Sequence, residues 1–284
     1  MATKRIIPLN RISGVNAGGT ATIDLPTDVR YHRIWAGYKT DTAGGATQAN
    51  MEKELKEFRF NIDGVTQKAV SMAQHFKMNK KNKIDPVADG VQGYASFHFS
   101  ERHRNTKISQ EATAWGMLGV GRFQIEIDID DTAVSPRIEA WAEVDDVQEA
   151  PMGIVKHKKE SIQVASSGEL VYKLDTEKGD SYQGLYFFET ADGDISRIKL
   201  EWDGVKMRDT SRQAYNAEIN DIEGLVKVDG MLYIPLDRGN PEDALPSVKL
   251  VNGQRRKVSE FLATLTMANA NNLILIREMV GSPD

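Results

Sequence analysis

The stretch IKLEWDGVKMRD, Ile198–Asp209, alternates apolar and polar side chains, turns on Asp203-Gly204 and resumes with a polar run. The stretch FRFNIDGVTQKA, Phe58–Ala69, does the same in the same order. In each, one parity is apolar (Ile198, Leu200 and Trp202; Phe58, Phe60 and Ile62). That is the period of a strand with one face on a core, and Asp-Gly is turn chemistry. One such segment predicts a strand. Two of them, each followed by a segment read as helical, predict a repeated domain.

Working outward, the neighbours match as well. Ala21, Ile23 and Leu25 in GGTATIDLP, read as the first strand, are answered by Leu170, Tyr172 and Leu174. Tyr31, Ile34 and Trp35 are answered by Tyr182, Leu185 and Tyr186. YASFHFSE, RFQIEIDID and PRIEAWAEV add strands to the first half, with Phe123, Ile125, Ile127 and Ile129 facing inward. MLYIPLD, PSVKLV and NNLILIREM add strands to the second. Helices are expected in TQKAVSMAQHFKM directly after the first Asp-Gly, in SQEATAWGML with Ser109 as cap, in TSRQAYNAEIND and in KVSEFLAT. Between about 145 and 168 the chain mixes Pro151, Gly153, charges and small residues without either period, so the domain junction is placed there, with domains at 1–150 and 151–284. A period this long is not a solenoid. The predicted class is all-β: two tandem eight-stranded jelly-roll β-sandwiches with short inserted helices.

Composition bounds the function. The chain has 284 residues, of which 40% are hydrophobic and 27% charged. That suits two soluble cores, and no run approaches the roughly 18 apolar residues of a membrane span. The start MATKRIIPLN has no signal-like apolar run, and the absence of cysteine fits synthesis in a reducing cytoplasm. A net charge of −5 argues against sequence-specific nucleic-acid binding. The short basic clusters at Lys80, Lys81 and Lys83 and at Lys156, Lys158 and Lys159 read as solvated loops.

No catalytic constellation emerges. The five histidines form no ligand pair at metal-binding spacing. His98, Glu101 and His103 cluster in HFSERH, but on a strand His98 and His103 point to opposite faces. Gly116, Gly119 and Gly121 precede a strand instead of opening a helix, so they read as a turn. No Gly-x-Ser-x-Gly elbow is present. The densest acidic run, EIDIDDT, puts Glu126, Asp128 and Asp130 on one strand face with Asp131 at its end. Such oxygens suit a hard cation such as calcium, and an outward-facing charged strand is the alternative. Trp35, Trp115, Trp141 and Trp202 keep open a carbohydrate-binding, lectin-like module or a spike protein, although Trp35 and Trp202 are expected in the core.

Two stretches carry a resemblance. LNRISGVNAGGTATIDLP, Leu9–Pro26, has Val15 with Ala17-Gly18 and ends on Ile23-x-Leu25-Pro26. GRFQIEIDIDDTAVSPRIEAWAE, Gly121–Glu143, has Glu126-Ile127-Asp128-Ile129-Asp130 followed by Pro136-Arg137. Both resemble the first jelly roll of corticovirus-type major capsid proteins of tailless, membrane-containing icosahedral phages. Extra residues in DTAGGATQANMEK and KNKIDPVADG suggest a related virus, for instance of the autolykivirus type. The resemblance implies a non-enzymatic coat protein made in the host cytoplasm and carried in the virion. It implies homotrimers forming pseudo-hexagonal capsomers, which contact neighbouring trimers, penton or spike and minor capsid proteins, and an internal membrane. Lys4 and Arg5 would then lie close to anionic head groups.

Overall fold

The computed structural model describes residues 3–101, 104, 106–150, 152–176, 179–222, 225–237 and 243–284, without the side chains of 250, 251 and 255. Chain contacts divide it into two units. The first holds Met1–Lys80, Ile84–His157 and Ser282–Asp284; the second holds Lys81–Lys83 and Lys158–Gly281.

The first unit contains β1 (Arg5–Pro8), β2 (Thr20–Leu25), β3 (Arg30–Lys39), β4 (Leu55–Ile62), β5 (Val65–Val70), β6 (Gly93–His98), β7 (Phe123–Ile129) and β8 (Arg137–Asp145), and a short helix α1 (Gln48–Glu54) leads into β4. One sheet runs β1-β8-β3-β6 and the other β2-β7-β4-β5. The second set is β9 (Ile154–Ile162), β10 (Gly168–Lys173), β11 (Ser181–Phe188), β12 (Ile195–Trp202), β13 (Val205–Ser211), β14 (Met231–Pro235), β15 (Phe261–Met267) and β16 (Leu273–Gly281). Its orders are β9-β16-β11-β14 and β10-β15-β12-β13. Adding eight to each label of the first copy reproduces the second. Both are jelly rolls, with β9 beginning in the first unit and ending in the second.

The cores follow from the alternation. Phe123, Ile125, Ile127 and Ile129 are all buried, and Tyr31, Phe58, Phe60, Phe97, Phe99 and Trp115 join Phe123 in an aromatic core. In the second unit Ile198, Leu200, Phe261, Ala263 and Leu265 play the same part, with Tyr182 edge-on to Phe261 at 5.1 Å. At roughly 1.5–3 kcal/mol for each large apolar side chain buried, these clusters are the main favourable term in each sandwich.

The repeated sequence proves to be a hairpin. Asp63 (φ 48°) and Gly64 (φ 83°), like Asp203 (φ 52°) and Gly204 (φ 77°), sit in the left-handed region. A two-residue type I′ turn requires that conformation at both of its central positions. The chain therefore returns as a strand in both copies: β5 takes the start of the segment predicted as helical from Thr66, whereas β13 runs up to the helix predicted from Thr210 and overlaps only its first two residues. Each return strand carries a bulge at one place. Lys68 faces Phe60 and Thr66 faces Asn61, leaving Gln67 extra; Arg208 faces Leu200 and Lys206 faces Glu201, leaving Met207 extra. The helices come afterwards, as α2 (Met72–Lys81) and α4 (Arg212–Asp221). Ser71 and Gln74 cap α2 reciprocally, and Ser211 Oγ accepts from the Ala214 amide at the start of α4.

Other expectations shift too. β1 precedes the strand read as the first. The aperiodic junction contains β9, and the contacts divide at His157/Lys158 inside it. Between Thr106 and Glu111, Thr106 caps the short helix α3 (Lys107–Glu111), while Ser109, predicted as cap, lies within it and donates its amide to Thr106. KVSEFLAT holds no helix, because Phe261, Ala263, Leu265 and Met267 alternate as β15. Lys81 and Lys156 are buried, not solvated.

Candidate functional site

Strand β7 puts Glu126 and Asp128 on the outer face of its sheet, and β4 brings Arg59 between them. Arg59 forks onto both Asp128 oxygens, at 2.8 Å for Nη2, and its Nε donates to Glu126 at 3.1 Å. Thr20 Oγ1 donates to Asp128 at 2.7 Å. The Arg59 hydrogen bonds hold the Asp128 carboxyl below the usual carboxylate range, and Asp128 in turn holds the guanidinium proton more firmly. Asp130 binds Lys56 Nζ at 2.8 Å and accepts from Thr132 N and Oγ1 at 2.8 and 2.6 Å. The Lys56 hydrogen bond is the largest cause of its lowered pKa. Asp131 is exposed beyond the strand end.

Calcium would need several of these oxygens to converge without cations among them. Arg59 already pairs with Glu126 and Asp128 and Lys56 with Asp130, and among the described residues no group of three His, Cys, Asp or Glu could share an ion. The residues do not fit a calcium site.

Lys4 and Arg5 are also engaged. Lys4 Nζ lies 2.8 Å from Glu111, and Arg5 Nη1 lies 2.5 Å from Asp146. His98 ends β6, while His103 lies outside the described residues. Trp115 is sealed in the core. Trp35 and Trp202 are half-buried instead of internal. The buried parity of β3 is Ile34, Ala36 and Tyr38, which turns Trp35 to the outer face opposite Trp141, with Arg33 stacked 4.0 Å over it.

One buried network has no sequence signal beyond a lone histidine in an apolar strand. His32 is the extra residue of a bulge, since Arg33 faces Glu143 and Tyr31 faces Val144. The bulge aims its ring inward. Its Nδ1 lies 2.6 Å from Ser100 Oγ and its Nε2 lies 2.8 Å from Asp145. Arg30 binds Asp145 through two nitrogens at 3.2 and 2.6 Å. Burial raises the Asp145 pKa, but hydrogen bonds from Arg30, His32 and the Val147 amide outweigh it and leave the carboxyl low. Burial lowers the His32 pKa against the hydrogen bond its Nε2 donates to Asp145. The order Ser-His-Asp has the look of a nucleophile relay, yet all three side chains are buried and Arg30 already neutralises the carboxylate. It ties β3 and β8 to the segment that follows β6.

Compared with known proteins, residues 6–145 match the family model of the viral coat protein P2 N-terminal domain, and residues 154–283 that of the viral coat protein P2 C-terminal domain. The major capsid protein P2 of Pseudoalteromonas phage PM2 is 25% identical over 239 residues, covering 81% of this chain and 82% of the relative. The crystal structure of the PM2 protein superposes with a TM-score of 0.82 at 20% identity, covering 99% and 98% of the two chains. The STIV major capsid protein gives 0.69 at 13% identity, covering 99% and 97%. The PBCV-1 virus capsid gives 0.64 at 10% identity, covering 99% and 96%. These structural likenesses concern the fold.

Proposed function

Because the chain belongs to the viral coat protein P2 family, it is a major capsid protein, a structural and non-enzymatic component of a virion, and we propose that three copies form a pseudo-hexagonal capsomer. These capsomers tile an icosahedral shell around an internal membrane, meeting neighbouring capsomers and the penton, spike and minor proteins of the same shell. The observation that carries the reading is the internal duplication: strand order, turn, bulge and capped helix recur in one polypeptide. Three chains with two similar sandwiches each supply six near-equivalent wedges, so a threefold molecule fits a hexagonal position. Subunit contacts of the obligate kind bury about 2,000 Å² or more.

The test is native mass with imaging. A species at three times 31.6 kDa with a hexagonal outline supports the reading, and a stable monomer overturns it. The membrane-facing part of the reading assigns Lys4 and Arg5 to the inner side. Wild-type trimer should then sediment with anionic vesicles and a Lys4→Ala/Arg5→Ala variant less so; equal sedimentation removes that assignment.

A further inference from the structure

The eightfold correspondence has one asymmetry. In the first copy, β5 is not an edge: the start of β9 runs parallel beside it, with His157 opposite Lys68. Gln67 and Lys68 are accordingly 0% and 6% exposed, and Ile154, Val155, Lys156 and His157 are buried.

The equivalent of β5 is β13, and the equivalent of β9 is β1. Among the described residues both are sheet edges, with no strand on their outer sides. Met207, which stands where Gln67 stands, is 44% exposed, and Val205 is 57% exposed. On β1, Ile6 is 64% exposed. Cations ordinarily guard such an edge. Here they face their own chain: Lys206 binds Asp209 at 3.2 Å, Arg208 binds Glu218 at 2.5 Å, and Arg5 binds Asp146. Each chain thus makes the β9-on-β5 contact once and carries the two halves of a second such contact unmade.

We propose that β1 of one copy adds in parallel to the β13 edge of the next copy, and that this strand addition is the main subunit contact. The occupant of each edge is a second copy of this chain. A head-to-tail contact of one donor edge and one acceptor edge closes into a ring. In a trimer the ring alternates three internal β5·β9 contacts with three β13·β1 contacts between subunits. The inference rests on the trimer reading and adds to it the strands that meet.

The chain has no cysteine, so pairwise cross-linking is free of background. Ile6→Cys, Val205→Cys and Met207→Cys all fall on exposed side chains, where the substitution leaves the core untouched. The probe is a short bismaleimide, applied to single variants, to Ile6→Cys/Met207→Cys and Ile6→Cys/Val205→Cys doubles, and to co-expressed single variants. The expected result is covalent dimer and trimer from at least one double, covalent dimer from the matching co-expressed singles, and monomer from each single alone. If every combination stays monomeric on a denaturing gel while the native mass remains that of a trimer, the strand addition is wrong and the trimer stands. If the native mass of the unmodified chain is that of a monomer, both fall.

Discussion

Arg59 decides the chemistry of the acidic strand. Its guanidinium binds Asp128 through two nitrogens and Glu126 through the third, so the carboxylates face protein cations where calcium would have to enter. Arg59→Ala should cost about 1–2 kcal/mol at neutral pH, a modest figure because the pair is partly exposed. Asp128 has a lowered pKa. Its contribution is therefore complete above the usual carboxylate value near 3.9 and fades as pH falls below it. Urea unfolding of the two proteins should accordingly converge in acid. Chelator or added calcium should leave the melting temperature of the wild type unchanged; a clear rise with calcium would restore the cation site. His75 acts in the same direction at higher pH. It is fully buried, stacked on Phe97 at 4.0 Å, 2.9 Å from the Ser96 carbonyl, and near Lys68, His98 and His157. Burial, then the Lys68 charge, hold its pKa well below 6.5, so the unfolded chain takes up the proton first. Stability should therefore fall as pH drops below about 6.5, by at most about 1.4 kcal/mol per pH unit from this group. His32 adds a slope of the same sign, so a His75→Gln variant should show a shallower pH dependence of unfolding than wild type, not a flat one.

At the level of elements, the two hairpins show what a sequence carries and where it misleads. Alternation in Phe58–Ile62 and Ile198–Trp202 is strong, because one face is wholly apolar and packs on a core, and those strands are legible. The return strands are not. Val65–Val70 and Val205–Ser211 are polar and bulged; the first is easily read as the start of the helix that follows, from Thr66 instead of Met72, while in the second the helix is legible to within two residues, from Thr210 instead of Arg212. The helix begins only where a serine caps it, at Ser71 and Ser211, each six residues beyond the valine that follows Asp-Gly. The candidate site was half legible for the same reason: the acidic face shows in β7 alone, but its partner Arg59 becomes visible only once β4 is paired beside it. Edge strand β1, four residues long, carries too little pattern to be seen. Ser71→Ala and Ser211→Ala should each destabilise by about 1 kcal/mol. Chemical unfolding of each should show the larger loss at Ser71, whose cap is reciprocated by Gln74.

Across the whole molecule, duplication preserved the insides of the two sandwiches and changed their outsides. The turn aspartates show the preserved part. Asp63 exchanges hydrogen bonds with the backbone of Arg122, the residue before β7. Asp203 donates its amide to the carbonyl of Glu260, the residue before β15, and accepts from Ser259. The return strands show the changed part, since equivalent backbone is covered in β5 and open in β13. Amide exchange follows whether a backbone N–H is bonded and buried, so this difference predicts different rates for homologous strands. In chains released from the assembly by dilution, Val65–Val70 should exchange slowly, while about half the amides of Val205–Ser211, those pointing away from β12, exchange fast. In the assembled protein the fast half should slow, together with the outward amides of Arg5–Pro8, and no comparable change should occur in β5. Equal protection of β13 in both states would mean that its edge is already satisfied within one chain, and the subunit contact would have to lie on another surface.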